Sequence, residues 1–214
     1  MEEKEKTKEE IEKEKKEQKK MRFIAVAVVV GFIVLFFAVF FGIKYFYPEQ
    51  EPYETVTFNN FEFTKIAGTW YTSWQHENRL VAVALRFNPY EVENVTVSGN
   101  IGESFQQSDV YITFDPYSEQ DSFKYLALAS AELSQSIVKA FNKNIIPACT
   151  RYENETCENL SIVTCDDKDK AVIQIVAEEP TQIIMEDNCI TLQGKEFELL
   201  KAVDKLLYLW YKIV

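Results

Sequence analysis

"VYITFDPYSEQDSFKYLALASAELSQSIVKAFNKNIIPAC", residues 110–149, is the stretch that decides the fold class. Its opening is rich in β-branched and aromatic residues and stops at Asp115-Pro116, which predicts a strand closed by a turn. From about Asp121 to Lys143 the apolar residues recur at helical spacing, with Phe123, Leu126, Ala127, Leu133, Ile137, Val138 and Phe141 on one stripe. "NIIPAC" then returns as a strand. Strand, long helix, strand is a β–α–β unit, and the strands of such a unit run parallel.

Upstream, residues 53–87 predict a four-strand meander. "YETVTF" and "FEFTKI" flank Asn59-Asn60, a two-residue turn in which asparagine tolerates positive φ. "TWYTSWQ" places Trp70 and Trp74 on one face and Tyr71 and Ser73 on the other, which favours core packing over a binding platform. "RLVAVALRF" is apolar on both faces and is therefore expected to be central and covered by helices. Downstream come a short strand near Val95-Thr96-Val97, then strands near Ile162-Val163, "AVIQIVA", "TQIIM" and "CITLQ". A last helix follows from about Lys195 to Lys212, with Leu199, Leu200, Val203, Leu206, Leu207 and Trp210 inward. The expected fold of residues 53–214 is α+β: a mixed α/β sheet with two long packing helices.

The N-terminal quarter is different. Phe23 to Ile43, "FIAVAVVVGFIVLFFAVFFGI", contains no charge and no polar stripe, and about 20 such residues cross roughly 30 Å of hydrocarbon. Lys44-Tyr45-Phe46-Tyr47-Pro48 follows as an aromatic belt and helix breaker, with no A-x-A-like cleavage site, so an uncleaved anchor is expected. Nine Lys and Arg residues precede the span, and only Lys44 flanks it closely on the other side. The positive-inside rule then predicts a charged cytoplasmic tail (1–22), a transmembrane helix (23–47), a linker (48–52) and an extracytoplasmic domain (53–214). Glu2–Lys6, Glu9–Lys13 and Glu12–Lys16 support a solvated helix in the tail. Within the span, Ala27, Gly31, Ala38 and Gly42 share one face, a small-residue stripe suited to helix association and hence to a homo-oligomer or another membrane subunit.

With nine basic and eight acidic groups in the tail, the remainder carries −12 of the chain's net −11. An acidic domain argues against nucleic acid as a partner. Cys149, Cys157, Cys165 and Cys189 all fall on the side assigned as outside. Their x7, x7 and x23 spacings lack the short pairs of zinc sites and the C-x-x-C of redox motifs, so disulfides are favoured over free thiols or a metal. Of three connectivities, Cys149–Cys157 with Cys165–Cys189 is preferred: the first closes a short polar insert, the second joins neighbouring strands. Asn94, Asn154 and Asn159 each open an N-x-[ST] glycosylation pattern.

"FDPYSEQDS" stands where α/β sheets bind ligands, after the carboxyl end of a strand. Asp115, Tyr117, Ser118, Asp121 and Ser122 are the candidate ligand-binding residues, although Asp and Ser there equally suit an N-cap. "CDDKDK" offers Asp166, Asp167 and Asp169 to a cation but lacks calcium-loop order, so a solvated turn is favoured and no metal or other cofactor is expected. His76 in "QHEN" reads as an exposed turn residue, and no hydrolase motif accompanies it, so no catalytic residue is assigned.

"YITFDP", "ALASAELS", "IPACT", "IVTC", "NCITLQG" and "AVDKLLYLWYKI" together resemble a group of single-pass archaeal membrane proteins. That resemblance covers about residues 53–214 and implies an extracytoplasmic domain with paired cysteines; it implies no activity or ligand. The leading expectation is a membrane-anchored, non-enzymatic interaction module whose partner is another membrane or surface protein. A small-ligand or glycan receptor using the loop 115–122 is the alternative. A surface hydrolase with carboxylate chemistry ranks third.

Overall fold

The computed structural model describes residues 8–46, 53–76, 78–152 and 155–214. The chain divides into two units, Met1–Pro52 and Tyr53–Val214. In the first, α1 (Lys8–Phe46) is a single helix of 39 residues. Its charged turns run without a break into the apolar ones, and a helical stretch of 28 residues, Lys15–Gly42, is long and apolar enough to cross a membrane. Ala27, Gly31, Ala38 and Gly42 lie along this one helix, and a side chain at Gly31 or Gly42 would meet nothing within 4 Å. The tail before Lys8 and the segment 47–52 that includes the linker lie outside the described residues.

The second unit is mixed α+β with two sheets. β1 (Thr55–Phe58), β2 (Phe61–Ile66), β3 (Thr69–His76) and β4 (Arg79–Leu85) form an antiparallel meander in that spatial order. Asn59 and Asn60 make the first turn at φ +44° and +67°, the left-handed pair that a twisted two-residue hairpin demands. β3 alternates strictly, burying Trp70, Thr72 and Trp74 and exposing Tyr71, Ser73 and Gln75.

One expectation is overturned here. β4 is an edge strand, not a central one, and only Val81, Val83 and Leu85 are buried. Its other face is Leu80, Ala82 and Ala84, all open to solvent. Alanine is apolar enough to mimic a second buried face in the sequence, yet too small to require one.

The second sheet has seven strands in the order β5 (Thr96–Gly99), β10 (Gln182–Glu186), β11 (Cys189–Gln193), β9 (Ala171–Val176), β6 (Asp109–Phe114), β7 (Asn144–Cys149), β8 (Ser161–Ile162). β6 and β7 are parallel, joined by α2 (Phe123–Phe141), as the β–α–β reading requires. The β10–β11 pair is the antiparallel one.

α2 and α3 (Phe197–Trp210) share one core with both sheets. Val110 and Ile112 of β6, Ile173 and Ile175 of β9, and Ile190 and Leu192 of β11 face it from one sheet. Phe63, Trp70, Trp74 and Val83 face it from the other. The buried stripe of α2 is Leu126, Ala129, Leu133, Ile137 and Ala140. Ala127 and Val138, expected inward, are exposed instead. Each stands one residue after a buried neighbour, about 100° further round the helix. Trp210, expected inward, is half-buried and packs against the core, its ring meeting those of Phe105 and Phe141.

The C-terminus is tied to the meander by polar handles. Tyr208 Oη donates to the Phe87 carbonyl at 2.7 Å, Trp74 Nε1 to the Tyr211 carbonyl at 2.8 Å, and Asn59 Nδ2 to the Ile213 carbonyl at 2.9 Å.

The opposite face of the seven-stranded sheet is covered by the segment after β8. Val163 packs with Ala148, Val172 and Cys189, and Thr113 Oγ1 donates to the Val163 carbonyl at 2.9 Å. Buried Asn188 donates from Nδ2 to the carbonyls of Cys165, Asp167 and Lys170 at 3.4, 3.1 and 3.3 Å. Cys149 is bonded to Cys157 and Cys165 to Cys189, with Cα separations of 6.2 and 5.3 Å.

Candidate functional site

β6, β7 and β9 run parallel side by side, so their carboxyl ends open on the same edge of the sheet. From β6 the chain leaves through α2 toward β7, whereas from β9 it leaves toward β10 on the other side. Connections that diverge from neighbouring strands leave a crevice between them, the switch point where open α/β sheets hold ligands.

A cleft of about 540 Å³ lies there. Asp115, Tyr117, Ser118 and Glu119 line it from the loop after β6, Thr150 and Arg151 from the loop after β7, and Ala177 and Glu178 from the loop after β9, with Gln174 of β9 beneath them.

The loop after β6 is built around Asp115. Its carboxylate accepts the Tyr117 N–H at 2.9 Å, an Asx turn, and its carbonyl accepts Ser118 Oγ at 2.9 Å. The same carboxylate pairs with the Arg151 guanidinium, which also lies 5.4 Å from the centre of the Tyr117 ring. Arg151 follows Cys149, the last residue of β7, by two positions, and Cys149 is bonded to Cys157. Tyr117 and Tyr152 are both largely exposed, and Tyr117 Oη donates to the Tyr152 carbonyl at 3.5 Å.

Of the five residues singled out in the sequence, Asp115, Tyr117 and Ser118 line the cleft; Asp121 and Ser122 do not. Neither does the capping expectation hold. A 3-10 turn, Gln120–Ser122, leads into α2, so Ser122 is already helical at φ −79°, ψ −23° and its side chain caps nothing. The turn takes up the N–H groups at the helix entrance, Ser122 N–H bonding the Glu119 carbonyl at 2.8 Å and Phe123 N–H the Gln120 carbonyl. Sequence reasoning did not find Arg151, Glu119 or Glu178. The position of each just beyond a parallel strand is the signal that marks them.

A second cleft, about 330 Å³, lies at the end of β4 and is lined by Arg86, Glu132, Gln135, Ser136 and Asp204 among others. Asp204 is buried on α3, and its Oδ2 accepts the N–H groups of Arg86 and Phe87 at 2.9 and 2.8 Å. Arg86 pairs with Glu132. Burial pushes the Asp204 carboxyl up to about 8, the neighbouring Glu132 charge adds to this, and the two backbone N–H groups oppose it. Asp204 stands among the apolar positions of α3, between Leu200 and Leu207, which is the sequence signal that an acid there is buried.

The other candidates resolve into structure. Trp70 and Trp74 are core. His76 is half-buried rather than an exposed turn residue: it ends β3 and stacks on the Trp74 ring, centroids 4.9 Å apart. Asp167 accepts the Thr164 N–H and the Lys170 ammonium, both at 2.9 Å, and these bonds, the backbone one first, hold its carboxyl below the usual range. Asn94 and Asn159 are exposed in turns, while Asn154 lies outside the described residues. Comparison with known protein families, with characterised proteins and with solved structures returns no match.

Proposed function

We propose that this chain is a single-pass membrane protein whose C-terminal domain lies outside the cytoplasm and binds a small polyhydroxylated ligand, a sugar or amino sugar, in the cleft at Asp115. The observation that carries the ligand reading is the cleft's place: it sits at the carboxyl ends of β6 and β9, where the connections diverge, and is rimmed by polar groups from three loops. The carboxylates of Asp115, Glu119 and Glu178 are acceptors for hydroxyl and ammonium groups. The exposed Tyr117 ring offers an apolar face on which a sugar ring stacks. Membrane anchoring is supported by the apolar helix and orientation by the lysines ahead of it. Two bonded cysteine pairs favour a non-reducing compartment.

This ordering reverses the sequence-based preference for a protein-interaction module. That second reading retains one favourable observation. The open face of the β1–β4 sheet exposes Ile66, Tyr71 and Leu80 beside Thr64, Ser73 and Ala82, with Glu62 its charge.

Full-length protein in detergent, screened against neutral sugars, amino sugars and free amino acids by thermal unfolding, tests the ligand reading. A true ligand at 100 times its Kd stabilises by about 2.7 kcal/mol, and Arg151→Ala or Glu178→Gln removes the gain. If no sugar or amino sugar moves the transition, the reading fails. External protease on intact cells tests the orientation: residues 53–214 are expected to be digested, and their protection sinks it.

A further inference from the structure

We infer that Asn94 and Asn159 carry N-linked glycans whose role is to cover the two open edges of the seven-stranded sheet. The inference rests on the extracytoplasmic reading of the domain and stands apart from the cleft.

The sheet has two edge strands, β5 and β8. The sequon Asn94-Val95-Thr96 ends on the first residue of β5, and the sequon Asn159-Leu160-Ser161 ends on the first residue of β8. Each asparagine therefore stands in a turn two residues ahead of an edge strand, and both are exposed. Their hydroxyl residues, Thr96 and Ser161, are exposed as well. The sequence holds three sequons, and the third, at Asn154, belongs to the insert that precedes β8.

An edge strand presents unpaired N–H and C=O groups that recruit another strand, and proteins blunt such edges by keeping them short or with charge, proline, bulges or a covering element. β5 is Thr-Val-Ser-Gly and β8 is Ser-Ile, neither of which holds a charge or a proline. The other sheet is treated differently. There a carbonyl of each edge strand accepts an outside side chain: Thr57 O takes Tyr90 Oη at 3.1 Å and Ala82 O takes Lys139 Nζ at 2.7 Å. Among the described residues, no side-chain donor reaches a carbonyl of β5 or β8. The sequons occur at the edges that lack this protection.

The reaction needs a lipid-phosphate-activated oligosaccharide as co-reactant. Asn Nδ2 attacks the anomeric carbon, a C–N bond forms, the C–O bond to phosphate breaks, the amide proton passes to a base, and the lipid phosphate leaves as the anion.

Peptide mapping of the full chain purified from membranes of its source cells is the test. Both the Asn94 and Asn159 peptides are expected to carry a glycan mass. Thr96→Ala is expected to abolish the modification at Asn94 while Thr96→Ser keeps it, and Ser161→Ala and Ser161→Thr behave likewise at Asn159. The Thr96→Ala/Ser161→Ala double variant in detergent is expected to show about a two-fold higher sedimentation mass than the modified chain, as bare edges pair. Unmodified asparagines on a domain that external protease digests overturn the inference and leave the orientation standing. Unmodified asparagines on a protected domain overturn both. Modified asparagines in a chain whose double variant keeps the wild-type mass overturn the shielding role.

Discussion

The two clefts each contain a carboxylate and an arginine, but they use them oppositely. At the end of β4, Asp204 is sealed from solvent and its hydrogen bonds go to the backbone of Arg86 and Phe87. There the acid is consumed in joining α3 to the meander. At the carboxyl ends of β6 and β9, Asp115 is half-buried and its partners, Arg151 and the Tyr117 N–H, sit on loops beside Glu119 and Glu178. There the charged groups stay in reach of solvent and of whatever enters. A shifted carboxyl does not by itself mark a ligand cleft in this molecule, because ordinary desolvation at a structural joint produces it.

The largest expected effect falls on the joint. Asp204→Ala leaves the two part-buried N–H groups of Arg86 and Phe87 without their acceptor, leaves a cavity in the core, and is expected to destabilise by about 3 kcal/mol in urea unfolding. Asp204→Asn, which keeps an acceptor oxygen, is expected to lose less. A loss below that of an ordinary surface variant would erase the distinction between the clefts.

Removing the Cys149–Cys157 bond with paired serines is expected to lose about 2.5 kcal/mol of loop-closure stabilisation. It also frees the loop that carries Arg151, so any ligand-induced stabilisation is expected to weaken with it.

The pH dependence follows from Asp204. Its folded-state pKa is raised to about 8 from an ordinary 3.8, so between those values the folded chain binds the extra proton. Stability therefore falls as pH rises through this window, with a limiting slope of about 1.4 kcal/mol per pH unit for one proton. Urea midpoints from pH 5 to 8 check this, and Asp204→Asn is expected to flatten the profile. Asp167, held below its usual range, acts in the opposite sense: its contribution is present above its unfolded pKa and is lost on acidification.

The smallest effect is expected at the open cleft. Arg151→Ala breaks a solvent-exposed ion pair and is expected to change stability by less than about 0.5 kcal/mol while abolishing any ligand-induced stabilisation.

The β–α–β unit and the position of the Asp115 loop were legible because both follow from local periodicity and chain direction. The alternation in β3 and the asparagine turn were legible for the same reason. What was not legible depends on packing between distant segments. β4 read as central because its open face is alanine, and the split into two sheets leaves no trace in periodicity. Arg151 and Glu178 join the cleft only once β7 and β9 flank β6, an order no local pattern encodes. Asp204 was the exception that could have been read: an acid at an apolar position of an amphipathic helix must be desolvated.

The Asn188 side chain bears on how one of the two disulfides is held. It grips the Cys165 carbonyl from the residue adjoining Cys189, along with two further carbonyls of the same turn. These contacts need no oxidant. In the folded chain they fasten the Cys165 turn to the residue beside Cys189, so this pairing is held by side-chain hydrogen bonds as well as by the sulfurs.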